Sequence, residues 1–267
     1  MLEIEWILTF LLLGAFVGFI AGLFGIGGGG LMVPVLATIF LSNGIPVEKV
    51  LHLALGTSMA SIIFTSIASF RAHHAKDAVK WNIVRGMSMG ILLGTFLSTY
   101  VATVANTLFL AIFFSIFMGL AAFQMFRKNT KTSKNTISKA RDLFIAGNVI
   151  GSISALVSIG GGSITVPFLV WKNIDLKKAI GTSAAIGLPI SIAGTLGYII
   201  NGWANTSLET YTIGYVYLPA VVLISIMSYI VAPYGVKVAH HLPIGILKKL
   251  FGVLLLILSI KMLVSVI

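Results

Sequence analysis

The chain has 267 residues, of which 58% are hydrophobic and 9% charged, with a mean hydropathy of +1.05. Too little polar surface is available to clothe a soluble globule, so the composition specifies an integral membrane protein. The formal charge of +11 would point to nucleic acid in a soluble domain, but in a membrane chain Lys and Arg mark cytoplasmic loops, and no nucleic-acid partner is expected. The absence of cysteine excludes disulfides, thiolate metal sites and thiol redox chemistry.

Strict period-two alternation is absent, so the apolar runs read as helices rather than barrel strands. The first, near Ile4 to Phe24, follows Glu3 and Glu5 instead of a basic n-region, which makes it a retained span rather than a cleaved signal peptide. It runs into "GIGGGG", Gly25 to Gly30, which satisfies the G-x-G-x-x-G pattern, and Glu48 stands about where a ribose-binding acid would. A dinucleotide turn needs a preceding strand inside a βαβ unit. Here a helix-length run precedes it, so the nucleotide reading fails on context and no cofactor is implied. A shorter apolar piece, near Leu31 to Leu41, carries Pro34 in what reads as its first turn.

Spans near Val50 to Phe70, Trp81 to Ala102 and Leu108 to Phe126 follow, then the basic stretch "RKNTKTSKNTISKAR" from Arg127 to Arg141. A second broken element, residues 143–171, contains "SIGGGS" from Ser158 to Ser163, with Pro167 in the short piece after it. Spans near Ala179 to Asn201, Gly214 to Ala232 and Leu247 to Val266 complete the chain. Trp6, Trp81, Trp171 and Trp203 stand near predicted span ends, where aromatic belts belong.

Gly14 to Leu36 can be laid over Gly147 to Leu169 without a gap, and "LGTSMA" at Leu55 to Ala60 matches "IGTSAA" at Ile180 to Ala185. The chain is therefore two copies of one unit, 1–127 and 142–267, joined by a cytoplasmic linker over 128–141. Cation counting sets their orientation. If each broken element, 4–41 and 143–171, goes in and comes back, sixteen Lys and Arg fall inside, with Lys49 and Lys261 outside; if each crosses once, the division is eleven to seven. The expected fold is an all-α polytopic membrane protein of two inverted repeats. Each repeat has a Gly-rich broken or re-entrant element plus three transmembrane helices, and both termini lie outside. The pieces after the glycines, about 11 residues or 16 Å of helix, are short enough to turn back.

A helix opened by glycines exposes unpaired N–H groups and a partial positive charge, and consecutive glycine N–H groups can form an anion-holding nest. Irregular backbone at membrane depth is tolerated only where protein or a water-filled cavity satisfies it, and paired broken helices recur at substrate sites of secondary transporters. The candidate substrate-binding residues are therefore Gly27, Gly28, Gly29, Gly30 and Pro34 at the first break. Gly160, Gly161, Gly162, Ser163 and Pro167 stand at the second. Thr57, Ser58, Thr182 and Ser183, in the helix after each break, could add hydroxyl donors, and Asn148 an amide on one side only. The competing account is close helix packing, which Gly14, Gly18 and Gly22 at four-residue spacing fit best. His52 lies just inside its span, whereas His73-His74 and His240-His241 fall in predicted loops. The seven acids, Glu3, Glu5, Glu48, Asp77, Asp142, Asp175 and Glu209, all lie near span ends or in loops. No buried carboxylate is available for a proton relay or a cation site, and no catalytic constellation appears.

The duplicated "GIGGGGLMVPVL" and "SIGGGSITVPFL", each followed by "GTS" at Gly56 to Ser58 and Gly181 to Ser183, resemble the sulfite exporter TauE/SafE family of membrane permeases. The resemblance covers essentially the whole chain. It implies transport of small sulfur-containing anions, such as sulfite or sulfonates, across the cytoplasmic membrane and usually outward. An anion-selective channel and a non-transporting assembly subunit are the alternatives. In the second copy Gly25 and Gly30 become Ser158 and Ser163, so the two half-sites need not be equivalent.

Overall fold

The computed structural model describes residues 4–126, 140–203 and 211–264; the linker expected over 128–141 lies outside the described residues except for its last two positions. Ten helices form along the described chain. The first five are α1 (Ile4–Phe24), α2 (Gly29–Ser42), α3 (Val47–His74), α4 (Trp81–Val104) and α5 (Thr107–Phe126). The second five are α6 (Ala140–Val157), α7 (Gly162–Trp171), α8 (Leu176–Asn201), α9 (Leu218–His241) and α10 (Ile244–Val264). Six of them, α1, α3, α4, α6, α8 and α9, are long and apolar enough to cross a bilayer. Large apolar side chains such as Leu8, Leu12 and Phe16 on α1 and Val222, Ile226 and Ile230 on α9 remain exposed on outer faces, where lipid tails replace water as the apolar surroundings. The protein is an all-α multi-pass membrane protein.

Two boundaries depart from expectation. Helix α9 starts four residues later than Gly214, because β1 (Thr212–Ile213) and β2 (Val216–Tyr217) pair antiparallel across a turn at Gly214, whose φ is +56°. It then continues through Pro233 to His241, so His240-His241 end a helix rather than lie in a loop. The packing of α9 on α1, with Gly235 against the Phe19 carbonyl, holds the helix beyond the proline. His73 and His74 likewise belong to the last turn of α3.

Glycine seams join the two halves. Gly14, Gly18 and Gly22 of α1 meet the backbone of Ile224, Ser228 and Ala232 of α9 in that order, so these helices run parallel. Helices α4 and α6 run parallel in the same manner, Gly90 and Gly94 meeting Phe144 and Asn148 while Gly147 and Gly151 meet Met87 and Ile91. Each seam takes one helix from each half of the sequence. At the centre, α3 and α8 run antiparallel: Gly56 meets Tyr198, Met59 meets Gly194, and Ser66 meets Gly187. These two helices carry a row of fully buried polar residues, Thr57, Ser58 and Ser61 on α3 and Thr182, Ser183 and Ser191 on α8, all at 0% exposure.

Helix α2 runs back along α1. Gly28 at its start lies against Val17, and Phe40 near its end meets Tyr217, which also contacts Phe10. The C-terminal ends of α1 and α3 stay together, Ser69 Oγ donating to the Ala21 carbonyl at 3.4 Å. At this same end the cation-bearing segments converge. Lys177 Nζ donates to the His240 carbonyl at 2.7 Å, His240 Nε2 lies 3.4 Å from His73 Nδ1, and the Lys80 N–H donates to Thr182 Oγ1 at 2.9 Å. A different set of contacts joins the start of α3 to the end of α4: the His52 ring nitrogens lie 3.0 Å from the Glu48 carbonyl and 3.0 and 3.2 Å from those of Ala102 and Ala105.

A methyl at Gly18 would lie 2.5 Å from Ser228 Cα, so Gly18→Val must separate α1 from α9. Overpacking of this kind costs about 1–3 kcal/mol. Thermal unfolding in detergent is expected at a clearly lower midpoint for Gly18→Val, whereas Gly245→Ala, where an added Cβ meets nothing within 4 Å, leaves the midpoint unchanged.

Candidate functional site: two crossed helix breaks

Helix α1 ends at Phe24 and α2 begins at Gly29; α6 ends at Val157 and α7 begins at Gly162. The connecting turns are built alike. Gly25 and Ser158, which the repeat aligns, both have positive φ (+68° and +48°), and the residues preceding α2 and α7, Gly28 and Gly161, sit at +83° and +81°. Left-handed backbone at a helix entrance suits glycine, which explains why both triplets supply it there. Ser158 meets the same demand with a β-carbon, and its hydroxyl donates to the Leu55 carbonyl of α3 at 3.0 Å.

The two turns touch. The Gly160 N–H donates to the Ile26 carbonyl at 3.2 Å, and a Cβ placed on Gly27 would lie 3.0 Å from Gly160 Cα. Gly29 packs on the Ser158 carbonyl and Gly162 on Ile26 Cα. The middle glycines therefore let two backbones cross with no side chain between them. This is a packing role, and it joins the two breaks to one another.

Neither α2 nor α7 has a side-chain cap; the Leu31 and Ile164 N–H groups donate to the Gly28 and Gly161 carbonyls at 3.1 and 3.2 Å, and those of Gly29, Gly30, Gly162 and Ser163 are the ones a helix start leaves without an intrahelical acceptor. Both helix starts are buried: Gly28 to Leu31 and Gly161 to Ser163 are all in the protein interior. Pro34 and Pro167 fall in the second turn of their helices rather than the first, since the helices begin at Gly29 and Gly162. Lacking an N–H, each proline leaves unpaired in the ladder the carbonyl four residues earlier, Gly30 and Ser163 respectively. Thr38 Oγ1 donates to the Pro34 carbonyl at 2.8 Å, tightening that turn.

The hydroxyls of the two "GTS" motifs divide into roles. Thr57 Oγ1 accepts the Tyr217 N–H at 3.0 Å and Thr182 Oγ1 accepts the Lys80 N–H at 2.9 Å, so each fixes the residue that precedes α9 or α4. Ser183 Oγ donates to the Gly25 carbonyl at 3.0 Å, tying α8 to the first break. Ser58 Oγ, its counterpart on α3, is buried without a hydrogen-bond partner. Asn148 stands at the α4–α6 seam with its backbone against Gly90 and Gly94, ten residues and so about 15 Å of helix before Ser158.

One pair of matched buried rings escaped the sequence reading. His73 Nε2 lies 3.1 Å from the Gly22 carbonyl, and Tyr198 donates its hydroxyl to the Ala155 carbonyl at 2.8 Å. Superposing the two "GTS" motifs aligns His73 with Tyr198, and superposing the breaks aligns Gly22 with Ala155. Each half thus anchors the last turn before its break by a different buried ring. The carbonyl only accepts, so His73 Nε2 carries a hydrogen and the neutral ring presents Nδ1 as acceptor toward His240. The alignment offset was the available signal; the dissimilarity of His and Tyr concealed it. Among the described residues no group of three His, Cys, Asp or Glu could hold a metal, and no Asp, Glu, Lys or Arg is buried.

Residues 10–262 match the family described as Sulfite exporter TauE/SafE. A probable membrane transporter protein of Haemophilus influenzae is 36% identical over 260 residues, covering 96% of this chain and 98% of its own length. One of Methanocaldococcus jannaschii is 29% identical over 263 residues, covering 95% and 96%, and one of Bacillus subtilis is 26% identical over 206 residues, covering 74% and 80%. No solved structure matches the chain. A family match across nearly the whole sequence, with a membrane transporter relative 36% identical over 96% of it, makes this chain a membrane transporter of the sulfite exporter TauE/SafE family.

Proposed function

We propose that the protein is a secondary transporter that moves small sulfur-containing anions, of the sulfite or organosulfonate type, outward across the cytoplasmic membrane. The observation that carries the reading is the meeting of two uncapped helix starts at the crossing of the glycine turns, in an interior with no buried Asp, Glu, Lys or Arg among the described residues. Neutral N–H and O–H donors can replace the water of an anion there, while a cation would find no carboxylate. Gly27 to Gly30 and Gly160 to Ser163 form the crossing, with Ser58 and Ser183 beside it; Thr57 and Thr182 hold neighbouring helix starts in register.

Alternating access would come from rocking of two inverted halves. Equivalent helices α3 and α8 run antiparallel, which is what a two-fold axis in the membrane plane requires, and the seams α1–α9 and α4–α6 exchange partners as that axis would exchange them. The gathering of Arg71 to Arg85, Lys172 to Lys178 and Lys237 to His241 supports a cytoplasmic placement of that end. An inside-negative potential contributes about 2.3 kcal/mol per charge per 100 mV toward anion exit.

The chain contains no cysteine, so single cysteines report topology directly. Lys178→Cys is expected to react with an impermeant maleimide only from the cytoplasmic side, and Trp203→Cys only from outside; the reverse pattern, or equal labelling, refutes the orientation. In proteoliposomes, radiolabelled sulfite flux is expected to rise when the potential drives anions out of the compartment facing the basic end. Flux that ignores the potential, or follows it with the opposite sign, refutes electrogenic anion export.

A further inference from the structure

The two breaks share a backbone but differ in their hydroxyls. On α3, Leu55, Ser58, Ile62 and Ser66 form one helical stripe facing the crossing. Leu55 accepts the Ser158 hydroxyl, Ile62 packs on Gly27 and Gly29, and Ser66 Oγ shares with the Gly160 carbonyl the space a Cβ on Gly187 would fill. The equivalent stripe on α8 is Ile180, Ser183, Gly187 and Ser191. There Ser183 donates to the Gly25 carbonyl and Ser191 to the Leu188 carbonyl at 2.9 Å, so both are occupied. Ser58 and Ser66, at 0% and 1% exposure, have no partner.

The helix starts differ in the same sense. The first turn of α7 carries Ser163 and Thr165, both without a partner, at 3% and 0% exposure. Thr165 Oγ1 lies 3.2 Å from where a Cβ on Gly161 would stand, so it is directed at the uncapped helix entrance. In α2 the aligned residues are Gly30 and Met32, which carry no hydroxyl, and the methyl of Met118 fills the space beside Gly30. Leaving a buried hydroxyl unsatisfied is costly, and Ser163 and Thr165 at the start of α7, with Ser66 beside the Gly160 carbonyl, can all be satisfied by one ligand that accepts from them.

We propose that the oxyanion binds at the second break alone, at the start of α7, held by the Ser163 and Thr165 hydroxyls and first-turn N–H groups, with Ser66 and Ser58 of α3 completing the donor set. The first break is its packing counterpart, closed by Met118 and by the Ser183 bond. A ligand with several acceptor oxygens and no donors fits this set, which is the chemistry shared by sulfite and sulfonates. The assignment rests on the anion-transport reading and refines which half carries the substrate.

The test uses radiolabelled sulfite flux in proteoliposomes together with the sulfite-dependent rise of the unfolding midpoint in detergent. Loss of hydrogen bonds to a charged ligand costs roughly tenfold or more each. The double variant Ser163→Ala, Thr165→Val is expected to raise the half-saturating sulfite concentration at least tenfold and to abolish the midpoint shift. Ser163→Thr, Thr165→Ser keeps both hydroxyls and both responses. Ser66→Ala, a single-atom deletion, raises half-saturation about tenfold and stands in should the double variant not fold. Wild-type flux with unchanged half-saturation in Ser163→Ala, Thr165→Val and in Ser66→Ala overturns the one-sided site while anion transport stands. Absence of both flux and midpoint shift in the wild type overturns the transport reading and the site with it.

Discussion

The structure depends on bringing two irregular stretches of backbone together where there is no water to satisfy them. Peptide groups outside a helical ladder cannot face lipid, so each break must be sheathed by protein. The chain achieves this by setting the breaks against one another: Gly160 donates to Ile26, and Gly27, Gly29, Gly160 and Gly162 have no side chain to keep the turns apart. Helices α3 and α8 close the sides, each lending hydroxyls or carbonyls to the turns through Leu55, Ser158, Ser183 and Gly25. The glycine seams α1–α9 and α4–α6 follow from the same need. A helix that ends near its partner's break must be held closely along its length, and backbone contact at Gly14, Gly18, Gly147 and Gly151 provides that hold.

Because each seam takes one helix from each half, neither half completes its own surroundings. Motion between the halves must therefore involve the seams, the α3–α8 contact or both. The Thr57–Tyr217 and Thr182–Lys80 bonds also cross between halves and fix the starts of α9 and α4 to the central helices. These contacts favour rigid units larger than single helices, the condition under which small shifts at a site become discrete rearrangements.

Much of this was legible in the sequence. The ungapped match of Gly14 to Leu36 with Gly147 to Leu169 located both breaks, and the packing of Gly14, Gly18 and Gly22 is what their four-residue spacing indicates. Element boundaries were less legible where tertiary contacts override local signals. The span read as ending near Ala232, with His240-His241 in a loop, yet packing on α1 carries α9 through Pro233 to His241. The hydroxyls were the least legible part. Ser58 and Ser183 are identical in motif, and nothing in the letters says that one is bonded and the other free; that difference depends on a carbonyl 158 residues away from Ser183 in sequence.

The absence of buried charge has its own consequence for the proposed activity. A fixed cation would bind an anion tightly at low dielectric and oppose its release on either side. Hydroxyls and helix-start N–H groups stabilise the same anion with partial charges only, and they remain satisfied by water when the site empties toward a solvated face. The loaded interior would then carry the substrate's charge and no compensating one, so the membrane potential acts on the full charge during translocation. An architecture of paired glycine breaks with no buried Asp, Glu, Lys or Arg among the described residues thus suits an anion carried down its electrical gradient, and it offers no buried acid there to hold a coupling proton.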